Sequence, residues 1–347
     1  MTTMPPPQTA NPTPAPAAPR RAPRATFVCC VEAGGLDVQA ALLAQSIRRW
    51  GGRFADAPII AVKPRHGPPL DRRAVDTMNK MGVEVRRVCP THGIWWYGTI
   101  NKPTTLAAVE PTVDTDLIIW LDTDTLVVAE PTEFDLPDDV DFAARPAESM
   151  LGTSGEGSVN DPYWRAVCAG LGLDYDALPW VTSYPELERI RMYWQGGAYC
   201  YRAATKLSQA HLAIYLRRVD LRIASKRCGV YFYDQTSMTL AVHQLKLRHH
   251  ALSPLYNFGM NKRNNEPWDR PELGDARVIH YHDSLWPDTY ERFMGALRKH
   301  RGDVHDFLAE HGPLRNRLAL PLRAYRRGLQ KLRDFRYERY ERTCTAY

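Results

Sequence analysis

Apolar and polar positions follow a repeating order along the first half of the chain. The run ATFVCCV (25–31) is almost wholly apolar, as a strand buried on both faces requires. Beyond it, Leu36, Ala40, Leu43, Ile47 and Trp50 recur at steps of four, three, four and three, with Gly51 as a helix stop. APIIAVK (57–63) predicts a second strand, 72–82 a short helix, VEVRRV (83–88) a third strand and 102–111 another helix. LIIWL (117–121) is the fourth strand and the most apolar. Strands alternating with helices predict an α/β fold: a Rossmann-like, mostly parallel central sheet with helices on both faces.

After FAARP (142–146) the pattern fades, and 149–190, rich in Gly, Pro, Trp and Tyr, predicts an irregular insertion. YWQGGAYCYR (193–202) predicts a strand with a glycine pair at its mouth, and 203–217 a helix. GVYFYDQTSMTLAV (229–242) passes from an aromatic run into a helix, and ARVIHYH (276–282) is the last predicted strand. From Pro321 onward Leu322, Tyr325, Leu329 and Leu332 form one helical stripe among arginines. This predicts a basic amphipathic C-terminal helix within 315–347, either packed on the fold or lying on a membrane surface.

Composition narrows the classes. The 347 residues, 44% hydrophobic, suffice for a large core. No window approaches the roughly 18–20 uninterrupted apolar residues of a membrane span. Residues 1–24 hold 8 of the 27 prolines and lack the apolar stretch of a secretory signal, so a disordered Pro/Ala-rich leader is expected. Seven scattered cysteines without a C-x-x-C pair suit reduced thiols in a cytoplasm. The net charge of +6 belongs to the ends: +3 lies in 1–24 and +7 in 315–347, leaving −4 between them. A nucleic-acid reader would carry its positive charge on the folded body, so nucleic acid is set aside as a partner.

Four D-x-D strings occur, at Asp114/Asp116, Asp122/Asp124, Asp139/Asp141 and Asp174/Asp176, so the string alone carries no weight. Only Asp122/Asp124 follows a run fit for a central strand. Two buried carboxylates repel unless a partner compensates, and on extended backbone both would face one cation. In parallel sheets ligands bind beyond the carboxyl ends of the strands, where this pair would sit.

Four motifs in this order resemble the metal-dependent GT-A glycosyltransferases, most closely family 8, the group of glycogenin and the lipopolysaccharide galactosyltransferases. NKPTTLAAVEPTVDTDLIIWLDTDTLVV (101–128) resembles the family's basic residue, short helix and D-x-D strand. The resemblance implies that Asp122 and Asp124 bind a divalent metal, with Asp122 also near the donor ribose and Lys102 facing the diphosphate. YWQGGAYCYR resembles the N-(A/S)-G strand that lines the donor sugar, with Gln195 where Asn is usual and Gly197 matching. YDQTSMTLAV resembles D-Q-D-x-L-N, giving Asp234 and Gln235 at the reacting carbon, with Thr236 where the second Asp would stand. VIHYHDSLW resembles I-H-(F/Y)-x-G-x-x-K-P-W, making His280 the third metal ligand, while Asp283 and Ser284 stand where the motif turns to Gly. The family lysine is missing.

The resemblance covers roughly residues 25–300. It implies a catalytic body over 25–314, with a nucleotide-binding half (25–147) and an acceptor half (148–314). The implied reaction is transfer from a nucleotide-diphosphate sugar, a UDP-sugar first, to a carbohydrate, lipid-linked or protein acceptor, with retention. Mixed oxygen and nitrogen ligation suits Mn²⁺, or Mg²⁺. With the basic tail, the expected place is the cytoplasm, peripheral to the inner face of the membrane. Of the two histidines in HYH, only one is expected to face the ligand side, and His280 is taken. His249 and His250 are expected at the surface. Trp95, Trp96 and Tyr97 either stack a base or sugar or pack in the core. Two rivals remain: a sugar-nucleotide nucleotidylyltransferase, whose arginine-bearing loop after the first strand is absent from CCVEAGGLDV, and a non-catalytic scaffold acting through its tail.

Overall fold

The computed structural model describes residues 24–90, 92–260 and 268–347. The expected leader therefore lies, apart from Arg24, outside the described residues. The first half alternates as the pattern predicts, through β1 (Ala25–Cys30), α1 (Leu36–Trp50), β2 (Ile59–Lys63), α2 (Arg72–Lys80), β3 (Val83–Arg87), α3 (Asn101–Val109) and β4 (Leu117–Leu121). After it come β5 (Thr125–Val127), β6 (Phe142–Pro146), α4 (Asp161–Leu171), β7 (Trp180–Thr182), β8 (Arg189–Arg191) and β9 (Trp194–Arg202). The second half adds α5 (Leu207–Leu221), β10 (Ile223–Ala224), α6 (Tyr233–Gln244), β11 (His249–Ala251), β12 (Phe258–Gly259) and β13 (Val278–His280). The chain closes with α7 (Tyr290–His300), α8 (Gly302–Ala309), α9 (Leu320–Glu341) and β14 (Thr345–Ala346).

Seven strands form the central sheet in the order β11-β6-β9-β4-β1-β2-β3. All pair in parallel except β9, which runs antiparallel between β4 and β6. Alternate residues of β4 explain its continuous apolar run. Ile118 and Trp120 enter a core with α3, α4, α5 and α6, whereas Leu117, Ile119 and Leu121 enter the opposite core with α1 and α2. Both faces are covered, so no position on β4 is free to be polar.

A second sheet, β12-β13-β5, stands beside the first and is backed by α7 and α8. In it β5 runs antiparallel to β13, with Thr125 opposite His280. The D-x-D turn is therefore the link between the two sheets, and this pairing carries it to β13.

Three expectations are corrected. Residues 149–190 are not irregular: they hold α4 and the β7–β8 hairpin. In α4, Tyr163, Trp164, Val167, Cys168 and Leu171 are buried at helical spacing, and Pro162 sits in the first turn, where its missing N–H costs nothing. The helix predicted from 203 begins at Leu207, after a tight turn over Ala203–Thr205. The leucine stripe of α9 is only partly turned to the fold: Leu322 and Leu329 are half-buried, Leu332 is 47% exposed, and the one buried residue of the helix is Arg333.

Arg333 donates to the His66 carbonyl (2.7 Å), Tyr340 to that of Val219 (2.8 Å), and Tyr337 packs edge-on against Tyr97. β14 then pairs with β10. Of the two placements left open for the tail, packing on the fold is thus one it adopts.

Candidate functional site

The turn after β4 is fixed by its own backbone. The Asp122 N–H donates to the Gly197 carbonyl (2.8 Å), and both the N–H (3.1 Å) and hydroxyl (2.7 Å) of Thr125 donate to the Asp122 carbonyl. The two carboxylates then part company. Asp122 Oδ1 accepts from the Trp120 indole (2.8 Å) and lies 3.2 Å from Lys102 Nζ. Asp124 Oδ1 lies 3.1 Å from His280 Nε2, and its Oδ2 lies 3.9 Å from His282 Nδ1.

Lys102 sits between strands and helices that the sequence spaces far apart. Its ammonium donates to the Gly196 carbonyl (2.6 Å) and lies 3.3 Å from Asp234 Oδ2, at the start of α6. Burial alone would lower its pKa, but Asp122 and Asp234 outweigh that and raise it, so the ammonium stays charged. Burial pushes the Asp122 carboxyl up; Lys102 pulls against it and Asp124 adds to it. On Asp124 burial acts the same way, yet the His280 imidazole overrides it and holds the group well below the usual carboxylate range. In return His280, which burial would lower, is raised by Asp124.

His280 is held from behind. Its Nδ1 lies 2.8 Å from Asn257 Oδ1, an acceptor, so Nδ1 carries the proton and Nε2 faces Asp124. Gly197 makes room for that pair: a Cβ there would fall 2.3 Å from Asn257 Oδ1 and 2.6 Å from His280 Nδ1. Its need is space, since its φ is ordinary.

The expectation that only one histidine of HYH faces the ligand side is wrong. The two rings stack at 3.7 Å between centroids, and both reach Asp124. Residues two apart on extended backbone share a face, so the pleat already argued for both. The chain leaves β13 at His280, and His282 turns back with φ of 50°. One ligand atom each from Asp124, His280 and His282 lie within 4.8 Å of one another. Such spacing suits a single ion with bonds of about 2.0–2.2 Å. Asp122, an expected third ligand, is not in that group.

Lys102, Asp122, Asp124, Asp234, His280 and His282 open on one cavity of about 750 Å³, with Asn257 behind His280. Gln235 lies on its wall, with Oε1 accepting from the Gly196 N–H (3.3 Å). Gln195 also lines it, but its amide is turned to Glu148, which Arg145 in turn holds (3.0 Å). Trp96 stacks on Tyr97 at 5.5 Å, and both reach the rim, while the Tyr97 ring is buried in a core of its own with Tyr215 and Tyr233. For this pair core packing and a place at the cavity coincide. Trp95 is 38% exposed and lines a neighbouring pocket.

Sequence reasoning missed five residues. His282 could have been found from the pleat. Asn257 has no motif to mark it. Gln330, Asp334 and Tyr337 of α9 line the cavity although they come from the tail.

Residues 27–246 match the family described as the Rhodobacterales glycosyltransferase domain. The chain belongs to that family. This glycosyltransferase also resembles the apo structure of the bifunctional glycosyltransferase WbbM, at 12% identity and a TM-score of 0.50 over 84% of this chain and 52% of that one. At that identity the likeness concerns the fold, and the chain spans about half the length of WbbM. A looser overlap, with a TM-score of 0.42 at 11% identity, covers 86% of this chain and 66% of glycosyltransferase GlyE of Streptococcus pneumoniae TIGR4. Among curated proteins there is no match. The matched segment ends within the loop after α6, so β13 with its histidines and the whole of α9 lie beyond it.

Proposed function

We propose that this glycosyltransferase works on the GT-A plan of family 8, moving a sugar from a nucleoside-diphosphate sugar, first of all a UDP-sugar, to a carbohydrate, lipid-linked or protein acceptor, with retention. One observation carries the reading: a carboxylate–imidazole cluster, a buried lysine and the Gln235 amide open on the same cavity. In the reaction the bond from the anomeric carbon to the diphosphate oxygen breaks, its electron pair leaving with the diphosphate. The acceptor oxygen bonds to that carbon and gives up its proton to the departing diphosphate oxygen.

Asp124 and His280, with their neighbours, would hold a divalent ion, which when bound neutralises charge on the departing diphosphate. Lys102 adds a second cation whose position is fixed by Gly196, Asp122 and Asp234, so it needs no reorganisation as charge develops. The Gln235 oxygen offers a polar face to the electron-poor anomeric carbon, and Asp234 steadies Lys102 beside it. Asp122 serves the donor ribose from its place against Trp120. Gln195 and Gly197 form the floor under the sugar. We further propose a cytoplasmic enzyme that binds the membrane surface peripherally.

A panel of UDP- and GDP-sugars assayed for hydrolysis tests the reading. Release of the nucleoside diphosphate that Mn²⁺ supports and EDTA abolishes is the expected result. Absence of cleavage of every sugar nucleotide with every divalent ion overturns it.

A further inference from the structure

Building on that reading, we infer that the metal centre is a two-histidine, one-carboxylate site, Asp124–His280–His282, that selects ions with an affinity for imidazole and discriminates against Mg²⁺. The D-x-D pair is divided between two cations. Asp122 Oδ1 already has the Trp120 indole at 2.8 Å and the Lys102 ammonium at 3.2 Å, so its charge is met by the chain itself. Among the described residues no lysine or arginine pairs with Asp124; what faces it is imidazole, His280 at 3.1 Å and His282 at 3.9 Å.

Each member of the cluster is prepared as a ligand. The Asn257 amide oxygen accepts a hydrogen bond from the Nδ1–H of His280 and leaves Nε2 toward Asp124, the outer-shell arrangement that orients metal-binding histidines. The absence of a side chain at Gly197 is what allows Asn257 to stand there. The left-handed backbone at His282 folds its ring onto that of His280, so that both imidazoles face one carboxylate. The side chains of Asp124 and His282 remain 27% and 33% exposed toward the cavity, so an ion has a path in.

Donor chemistry then decides the ion. Mg²⁺ and Ca²⁺ prefer oxygen, and Mg²⁺ gives up water reluctantly. Two imidazoles and one carboxylate suit Mn²⁺, Fe²⁺, Co²⁺ and Zn²⁺. The same set leaves coordination positions open, as a centre that receives phosphate oxygens requires.

The experiment is titration of the full chain with Mn²⁺ alone, no donor present, followed by the paramagnetic resonance of the free ion. Co²⁺ or Zn²⁺ should displace bound Mn²⁺ near equal concentration, and Mg²⁺ only at about a hundredfold excess or more. Asp124→Asn and His282→Gln should each weaken Mn²⁺ binding by about tenfold or more, whereas Asp122→Asn should change it less than about threefold. Circular dichroism of each variant separates lost binding from lost fold. Equal competition by Mg²⁺, an Asp122→Asn variant as impaired as His282→Gln, or no Mn²⁺ binding by the wild-type chain each overturns the inference. The sugar-nucleotide hydrolysis panel, run separately, reports whether the transferase reading itself fails.

Discussion

Gly197 has no side chain because the space is taken. With a Cβ placed 2.3 Å from one polar atom and 2.6 Å from another, Gly197→Ala must push Asn257 or His280 aside. Overpacking of this kind costs about 1–3 kcal/mol, and displacing an outer-shell partner lowers metal affinity by about 10–100-fold. Thermal unfolding and Mn²⁺ titration of that variant should show both losses, and an unaltered affinity would mean the Asn257 contact orients nothing. The other D-x-D strings are accounted for by local ion pairs instead: Asp114 and Asp116 with Arg24, Asp141 with Arg248, Asp176 with Arg191. His211 gives a residue-scale test of pH dependence. Burial lowers its pKa from 6.5 to about 4, against a smaller upward pull from Asp234, and its Nε2–H donates to the Asp234 carbonyl (2.9 Å). The folded state therefore keeps the ring neutral where the unfolded chain would protonate it. That contribution is complete above pH 6.5 and is lost as pH falls toward about 4, amounting to about 3 kcal/mol. His211→Gln keeps a donor near the same place and does not titrate. Its urea-unfolding stability, relative to wild type, should rise by about that amount between pH 7 and pH 4; parallel curves would show that the ring is not responsible.

Among the elements, those that answer to one period were legible and those held by distant partners were not. β1, β2 and β4 read as strands because each is buried on both sides, and α1 because its apolar steps are strict. α4 was hidden by the aromatic, glycine- and proline-rich residues around it, although its own buried positions keep helical spacing. Asp124 was legible from the strand before it, and His280 from its motif, but their meeting depends on β5 pairing with β13, which no local pattern encodes. α9 shows the limit most clearly. Its leucines suggested the packed face, yet the helix is held by polar and aromatic anchors: Arg326 on Gly34, Arg333 on His66 and Glu32, Tyr340 on Val219. Glu32 is shared with Arg65 (2.7 Å) and Asn101 (2.9 Å), which line the cavity, so α9 bears on the site as well as on the fold. Arg333→Ala leaves the half-buried Glu32 carboxylate short of one partner and the His66 carbonyl without its donor, and should cost about 1–3 kcal/mol. Chemical denaturation measures the loss, and Trp96, packed at 5.1 Å against Tyr340, reports by its fluorescence whether the helix has lifted. A change under about 0.5 kcal/mol would mean the aromatic anchors hold the helix unaided.

At the scale of the whole molecule, the C-terminal charge and the exposed apolar side chains fall on one surface. With Arg333 facing inward, the outward side of α9 carries Leu332 (47% exposed) and Phe335 (59%). Arg327, Lys331, Arg336 and Arg339 flank them, all exposed. No helix among the described residues is long and apolar enough to cross a membrane. Two large apolar side chains and a ring of cations on a helix face are what an anionic lipid surface accepts: the phenyl ring and the leucine would enter the headgroup boundary, with each basic residue contributing about 1 kcal/mol. The helix would then do two jobs at once, since its inner side lines the cavity through Gln330, Asp334 and Tyr337. Binding through the outer side would bring a lipid-linked acceptor to the mouth of that cavity. Truncation cannot test this, because α9 also holds the fold. Surface substitution can. Leu332→Ser with Phe335→Ser, and separately Arg336→Glu with Arg339→Glu, should leave the melting temperature and donor hydrolysis unchanged while cutting sedimentation with phosphatidylglycerol vesicles more than about tenfold. Raised salt should weaken the wild-type association, and it should weaken the charge-reversed protein less, since screening acts on the charges that remain. Undiminished vesicle binding by both variants would show that this face is not the one that meets the membrane.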